Sequence, residues 1–163
     1  MSWQLRRATA DDLDAIMVLE SSEFTSDAWS SDLMIAEIGD ENSYYLVAHP
    51  VGEPTNVKAY AGLRAPVRSP QADIQTIAVA PDARRHGIGR ALMHALMVEA
   101  RNRGARELFL EVRADNPGAQ SLYDSLGFDR IAVRHRYYQP DGVDAIVMRL
   151  TIPEPKLSPA VGA

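Results

Sequence analysis

The sequence predicts an α/β (α+β) protein, a mixed sheet of about seven strands with about four helices packed on it. Three observations predict it. The 163 residues match the roughly 150 of one globular domain. Hydrophobic period-2 and period-3.6 segments follow in the order β, α, α, β, β, β, α, β, α, β, β, which implies a mixed sheet covered by helices. The composition, 46% hydrophobic and 24% charged, is that of an ordinary soluble domain, and no apolar run reaches the roughly 18 residues of a membrane helix.

Each element has a local cause. Residues 5–8 read as a first strand. Thr9 and Asp12 form a capping box that opens a helix through Leu19. A second helix starts after Ser30, carries Leu33, Met34 and Ile38 as its apolar stripe, and stops at Gly39. Residues 43–49 form a strand, and a turn holding Gly52 and Pro54 returns the chain into residues 58–68. Residues 73–79 are a further strand, ended by Pro81, which cannot donate to a ladder. Ile88, Ala91, Leu92, Ala95, Leu96 and Val98 then fall on helical spacing, with Arg101 and Arg103 in the last turn and Gly104 as the stop. Residues 108–112 make a strand and residues 117–126 a helix closed by Gly127. Strands 131–138 and 145–151 face each other across Gln139-Pro140-Asp141-Gly142. Residues 1–151 thus make one domain. Residues 152–163, with Pro153, Pro155 and Pro159, read as a flexible tail with little to bury.

Charge and composition exclude several classes. There is no cysteine, hence no disulfide, thiolate metal site or cysteine nucleophile. His49, His86, His94 and His135 lack metal-ligand spacing, so no metal is expected. A net charge of −5 argues against nucleic acid or an anionic membrane as partner. The start has no apolar core, so cytoplasmic residence is expected. Arginines cluster at 84, 85 and 90 and at 101, 103 and 106, which reads either as a solvated helix face or as a local anion site.

The segment from Ile77 to Arg90 carries the first chemistry. A strand runs into a short loop, and Gly87 and Gly89 open a long helix whose first N–H groups form a cradle for an anion. It is no P-loop, because no lysine follows the glycines. A dinucleotide fingerprint requires Gly or Ala where Leu92 stands. Arg84-x-x-Gly87-x-Gly89 resembles the acetyl-coenzyme-A signature of the GNAT superfamily of N-acetyltransferases. That resemblance implies a GNAT fold whose sheet splays at the cofactor site.

Two further residues invite acid–base readings. Glu111 alternates with Leu108, Leu110 and Val112 in an apolar strand, where a carboxylate is either salt-bridged or a general base at the mouth of a cleft. Tyr123 lies on the stripe of Ala119, Leu122 and Leu126, a place for packing whose hydroxyl still needs a partner, and Asn116 is an N-cap. Residues 110–116, the pattern Leu122-Tyr123-x-Ser125-Leu126-Gly127-Phe128 and Arg134-x-Arg136-Tyr137-Tyr138 are similar to the bacterial RimI family, as is Ala28-Trp29-Ser30. Members of that family acetylate the N-terminal alanine of the eighteenth small-subunit ribosomal protein.

The resemblance implies roles. Glu111 matches the general base and Tyr123 the general acid. Ile77, Ala78 and Val79 match the strand that holds pantetheine and thioester; the Val79 N–H, where that strand ends, is the candidate oxyanion donor by position. Arg84, Arg85, His86, Gly87, Ile88, Gly89 and Arg90 match the pyrophosphate turn of acetyl-CoA, and Asn116 a cofactor contact. Trp29, Tyr137 and Tyr138 are candidates for the acceptor peptide. Strand alternation lets only one of the two tyrosines face a cleft, and Glu23 and Asp27 suit a basic peptide. The expected partner is the N-terminal peptide of that ribosomal protein, bound by a monomer or weak dimer. GNAT enzymes acting on small amines or protein lysines remain the alternative.

Overall fold

One side chain organises the start of the chain. Asp12 accepts the Thr9 N–H at 2.9 Å and both terminal nitrogens of Arg6 at 2.8 Å. The hydrogen bonds from Arg6, aided by Thr9, hold its carboxyl below the ordinary aspartate range against the effect of burial. The expected capping interaction therefore ties the first strand, β1 (Trp3–Arg7), to the helix. It opens a single 3-10 turn (Ala10–Asp12) before α1 (Leu13–Glu23), which runs past the expected end at Leu19. The computed structural model describes residues 2–24 and 28–153.

The remaining elements follow the expected order. They are α2 (Ser31–Ile38), β2 (Ser43–Pro50), β3 (Ala59–Arg64), β4 (Gln71–Val79), α3 (Ile88–Asn102), β5 (Glu107–Arg113), α4 (Pro117–Ser125), β6 (Asp129–Tyr138) and β7 (Val143–Thr151). Ser30 caps α2 through its Oγ, which accepts the Leu33 N–H at 3.2 Å. The seven strands form one mixed, mostly antiparallel sheet in the order β1-β2-β3-β4-β5-β7-β6, and only β4 and β5 pair in parallel. No helix among the described residues is long and apolar enough to cross a membrane.

Helix α3 keeps only part of the expected stripe: Ala91 and Val98 are exposed, and Met93 and Ala100 turn inward instead. Ile88, Leu92, Met93, Leu96 and Ala100 are buried against β2, β3 and β4, each large side chain contributing about 1.5–3 kcal/mol. On β3, Gly62 lies under the ring of Tyr45. A Cβ there would fall 2.3 Å from the Tyr45 ring, so only glycine fits. The Tyr45 hydroxyl in turn donates to Gln75 Oε1 at 2.9 Å.

One expectation needs correction, and one open reading is decided at Arg103. Ile152, assigned to the tail, is buried and its N–H donates to the Arg106 carbonyl at 2.8 Å, so it belongs to the core. The remaining tail from residue 154, like Asp27, lies outside the described residues. Arg103 is a clamp and no anion site: it pairs with Glu99 at 3.2 Å and donates to the carbonyls of Glu41 and Ala65 at 3.2 and 3.1 Å.

Candidate active site

The site begins where the sheet opens. Strands β4 and β5 pair over three rungs, Gln71 with Glu107, Ala72 with Leu108 and Asp73 with Phe109. Beyond them β5 stays paired to β7 and β4 to β3, and the two strands diverge. The divergence has a local cause. On β3, Gly62 faces Thr76 while Leu63 faces Ile74, which leaves Gln75 as an extra residue on β4 just past the last shared rung. Such a bulge bends its strand.

The bend exposes backbone to the opening. Ala80 donates its N–H to the Lys58 carbonyl at 2.8 Å. Because ladder bonds alternate in an antiparallel pair, Ala78 faces β3 as well, and the N–H groups of Ile77 and Val79 point into the fork. The Val79 carbonyl follows the same rule, since it accepts Arg84 Nε at 3.2 Å on that side.

A passage runs through the fork from one face of the sheet to the other. On one face a cleft of about 560 Å³ is lined by Val79, Arg85, Gly87, Gly89 and Arg90 among others. On the other, a cavity of about 790 Å³ is lined by Trp29, Asp73, Glu111, Arg134, Tyr137 and Tyr138. A smaller hollow of about 140 Å³, the neck, lies between them and shares lining residues with each. Ile77, Asn116 and Tyr123 line both neck and first cleft, whereas Trp29, Glu111 and Tyr138 line both neck and second cavity.

The first cleft is built to receive an anion. Arg85 has φ +66° and Gly87 φ +75°, and this left-handed backbone turns successive N–H groups to one side. Helix α3 has no side-chain cap, and among the described residues no N–H from Arg85 to Arg90 meets an acceptor. The Arg85 side chain is exposed beside it. Arg90 lines the same cleft and donates to Ser125 Oγ at 2.7 Å. Arg84 is differently placed: its guanidinium bridges the Val79 carbonyl and Glu23. Glu23, expected on the acceptor side, is therefore paired on the anion side. Ile88 is buried beneath the turn. The His86 side chain leaves the group and stands against Trp3, ring centroids 6.0 Å apart.

Such a turn, with an open strand edge beside it, fits the diphosphate and the amide-rich arm of coenzyme A. The uncapped N–H groups and the arginines suit the diphosphate, and the free N–H groups of β4 suit the arm.

Tyr123 is buried, packed edge-to-face on Phe128 with centroids 6.0 Å apart, and its hydroxyl has no protein partner among the described residues. Burial pushes its pKa up to about 12, so it is a neutral O–H donor at any physiological pH. Asn116 caps α4, its Oδ1 accepting the Ala119 N–H at 3.1 Å, and still lines the neck.

Glu111 is salt-bridged to Arg134 at 3.2 Å and also lines the opening. Tyr137 stands close by, and Glu111 leads the causes that raise the tyrosine's pKa. Tyr137 and Tyr138 both line the second cavity, their rings edge-to-face at 5.1 Å, contrary to strict alternation. Opposite β7, Arg134 faces Ala145 but Tyr138 faces Val143, so two extra residues bulge from β6. Arg136 absorbs the bend at φ +54°, and Asp144 holds it by accepting the Arg136 N–H at 2.9 Å.

Three residues of the site escape sequence reasoning. Glu20, buried in α1, accepts the Trp29 N–H at 3.1 Å and the Tyr60 hydroxyl, which also bonds Thr76 at 3.0 Å. Its only signal is a charge on the helix face of Ile16 and Leu19. Asp73 and Gln75 share the β4 face of Ile77, a pattern visible in the alternation alone.

Comparison with known proteins agrees with this geometry. Residues 13–128 match the model of the "Acetyltransferase (GNAT) family". An uncharacterized Mycobacterium leprae protein is 36% identical over 86% of the chain, although the chain spans only 38% of that protein's length. The Mycobacterium tuberculosis protein named N-alpha-acetyltransferase RimI is 35% identical, over 86% of this chain and 87% of its own. The crystal structure of the ribosomal-protein-S18-alanine N-acetyltransferase from Escherichia coli superposes with a TM-score of 0.79 at 32% identity, covering 98% of this chain and all of that one. The chain belongs to the GNAT acetyltransferase family and is RimI-like within it.

Proposed function

We propose that the protein transfers an acetyl group from acetyl-CoA to the α-amino group of an N-terminal alanine, on the small-subunit ribosomal protein for which the Escherichia coli relative is named. One observation carries the reading: a single passage crosses the sheet with a proton donor on the anion-cradle side and a carboxylate on the opposite side. The coenzyme supplies an acetyl thioester. The turn from Arg85 to Arg90 holds its diphosphate, and the open edge of β4 holds the arm. An enzyme with this substrate works in the compartment of the ribosomes, the cytoplasm.

The acceptor arrives as an α-ammonium with an ordinary pKa near 7.7–8.0, so removing its proton at neutral pH is a modest demand of about one unit. Glu111 takes that proton, directly or through one water, and Arg134 and Tyr137 yield to the ammonium. The Val79 N–H, aimed into the fork, stabilises the negative charge that develops on the carbonyl oxygen. Tyr123 donates its O–H to the departing sulfur. Asn116 keeps the start of α4 in place beside the neck. Trp29, Tyr137 and Tyr138 wall the acceptor side. The test offers peptides beginning with Ala, Ser and Met, and one whose single amine is an internal lysine, together with acetyl-CoA, and locates the added 42 Da (one acetyl group, about the mass of C₂H₂O) by mass spectrometry. Label on the alanine α-amine supports the reading. Label on the lysine alone overturns it.

A further inference from the structure

The acceptor-side cavity contains a carboxylate for which the reaction above has no use. Asp73 is the last β4 residue paired with β5 before the fork, and it lines the same cavity as Glu111. Strands about 4.8 Å apart and a rise of about 3.3 Å per residue put the Cα atoms of Asp73 and Glu111 roughly 8 Å apart where the fork opens. Among the described residues Asp73 makes no side-chain hydrogen bond and no ion pair. Its cross-strand neighbour Arg64 points its guanidinium at Glu37 and Asp40, at 3.5 and 3.4 Å. Arg134 is engaged with Glu111. The cavity therefore holds two carboxylates and one arginine, and the uncompensated charge sits on Asp73. Its side chain is exposed on the cavity wall; partial desolvation first, and the nearby Glu111 second, raise its pKa, with Arg64 opposing.

We propose that Asp73 is a specificity residue that receives a cationic side chain, Lys or Arg, from the second or third residue of the acceptor peptide while Glu111 takes its α-ammonium. An extended peptide covers roughly 8 Å in two to three residues. A long, flexible cationic side chain covers any remainder. A competing acceptor with Glu at that place would meet two negative groups, so the same residue both attracts and rejects. The inference rests on the N-terminal acetylation reading.

The experiment offers pairs of peptides in competition to one enzyme preparation: Ala-Lys-Ala-Ala against Ala-Gln-Ala-Ala, and Ala-Ala-Lys-Ala against Ala-Ala-Gln-Ala, each lysine dimethylated so that it stays charged but cannot be acetylated. The wild type is expected to favour the cationic member of at least one pair about fivefold in kcat/KM, as for one partly exposed ion pair. Asp73→Asn is expected to bring that ratio near one, and Asp73→Lys to invert it, favouring Gln over dimethyl-lysine at the same position. Both peptides meet the same enzyme, so loss of folded protein cancels from the ratio. Equal use of both members by the wild type, or an undiminished preference in Asp73→Asn, overturns the role of Asp73 and leaves N-terminal acetylation standing. Absence of acetyl on every N-terminus overturns the N-terminal reading, and this inference with it.

Discussion

Replacing Tyr123 by Phe separates packing from chemistry, because the ring's edge-to-face contact with Phe128 survives and the lost hydroxyl has no protein partner among the described residues. The fold should therefore keep its stability at neutral pH within about 0.5 kcal/mol. Catalysis should not be spared. With the phenol at about 12 and a leaving thiol near 8.5, full transfer of the proton to a thiolate climbs roughly 3.5 pK units, about 5 kcal/mol. In the proposed mechanism the hydroxyl thus acts chiefly as a hydrogen-bond donor to developing charge, expected to be worth about 1.5–3 kcal/mol, or about 10- to 150-fold in rate. Single-turnover acetylation of an Ala-initial peptide by preloaded enzyme measures this step. The ratio of wild-type to variant rate should be constant from about pH 6 to 9, since Tyr123 stays protonated throughout. A ratio below twofold, or one that varies with pH over this span, would refute the donor role. The raised pKa also has a stability sign. The folded state keeps the proton more tightly, so the contribution is complete below pH 10, the model tyrosine value, and is lost as pH rises toward about 12. Tyr123→Phe should lose less stability over that interval than the wild type.

Other outcomes follow from the same structure. Glu111→Gln should lower kcat/KM by about 10²- to 10⁴-fold while coenzyme A affinity, read by calorimetry, changes less than twofold; near-normal turnover would reduce Glu111 to a partner of Arg134. Gly62→Ala drives a methyl into the Tyr45 ring and should cost about 1–3 kcal/mol in urea unfolding; an unchanged midpoint would contradict the close approach. Asp144→Ala should raise the acceptor KM by releasing the bulge that turns Tyr137 into the cavity. Arg136→Gly in that background, accommodating φ +54° without strain, should restore part of it, whereas failure of rescue would show that Asp144 acts otherwise. Asp12, held low by its bonds from Arg6, contributes stability above pH 3.8 that is lost on acidification; Arg6→Gln should therefore flatten acid unfolding followed by circular dichroism.

Much of this protein is legible along the chain. The centre of the α3 stripe at Ile88, Leu92 and Leu96, the stop at Gly104, the N-caps at Ser30 and Asn116 and the turn at Gly87 are local, because each depends on neighbours three or four residues away. Glu111 and Tyr123 were also visible as a carboxylate in an apolar strand and a hydroxyl on an apolar stripe. What sequence order could not decide was how distant pieces meet. The fork depends on Gln75 having no partner on β3, a mismatch between two strands. Tyr137 and Tyr138 share a cavity because of a surplus of β6 residues over β7, so a rule valid within one strand failed across two. Arg84 turned to Glu23 across 61 positions, and Asp73 lost Arg64 to Glu37 and Asp40. Local geometry is set by backbone sterics and short-range hydrogen bonds and is written in consecutive residues. The pairing of charges and the register of strands are set by competition among partners far apart in the chain, and only the folded molecule chooses among them.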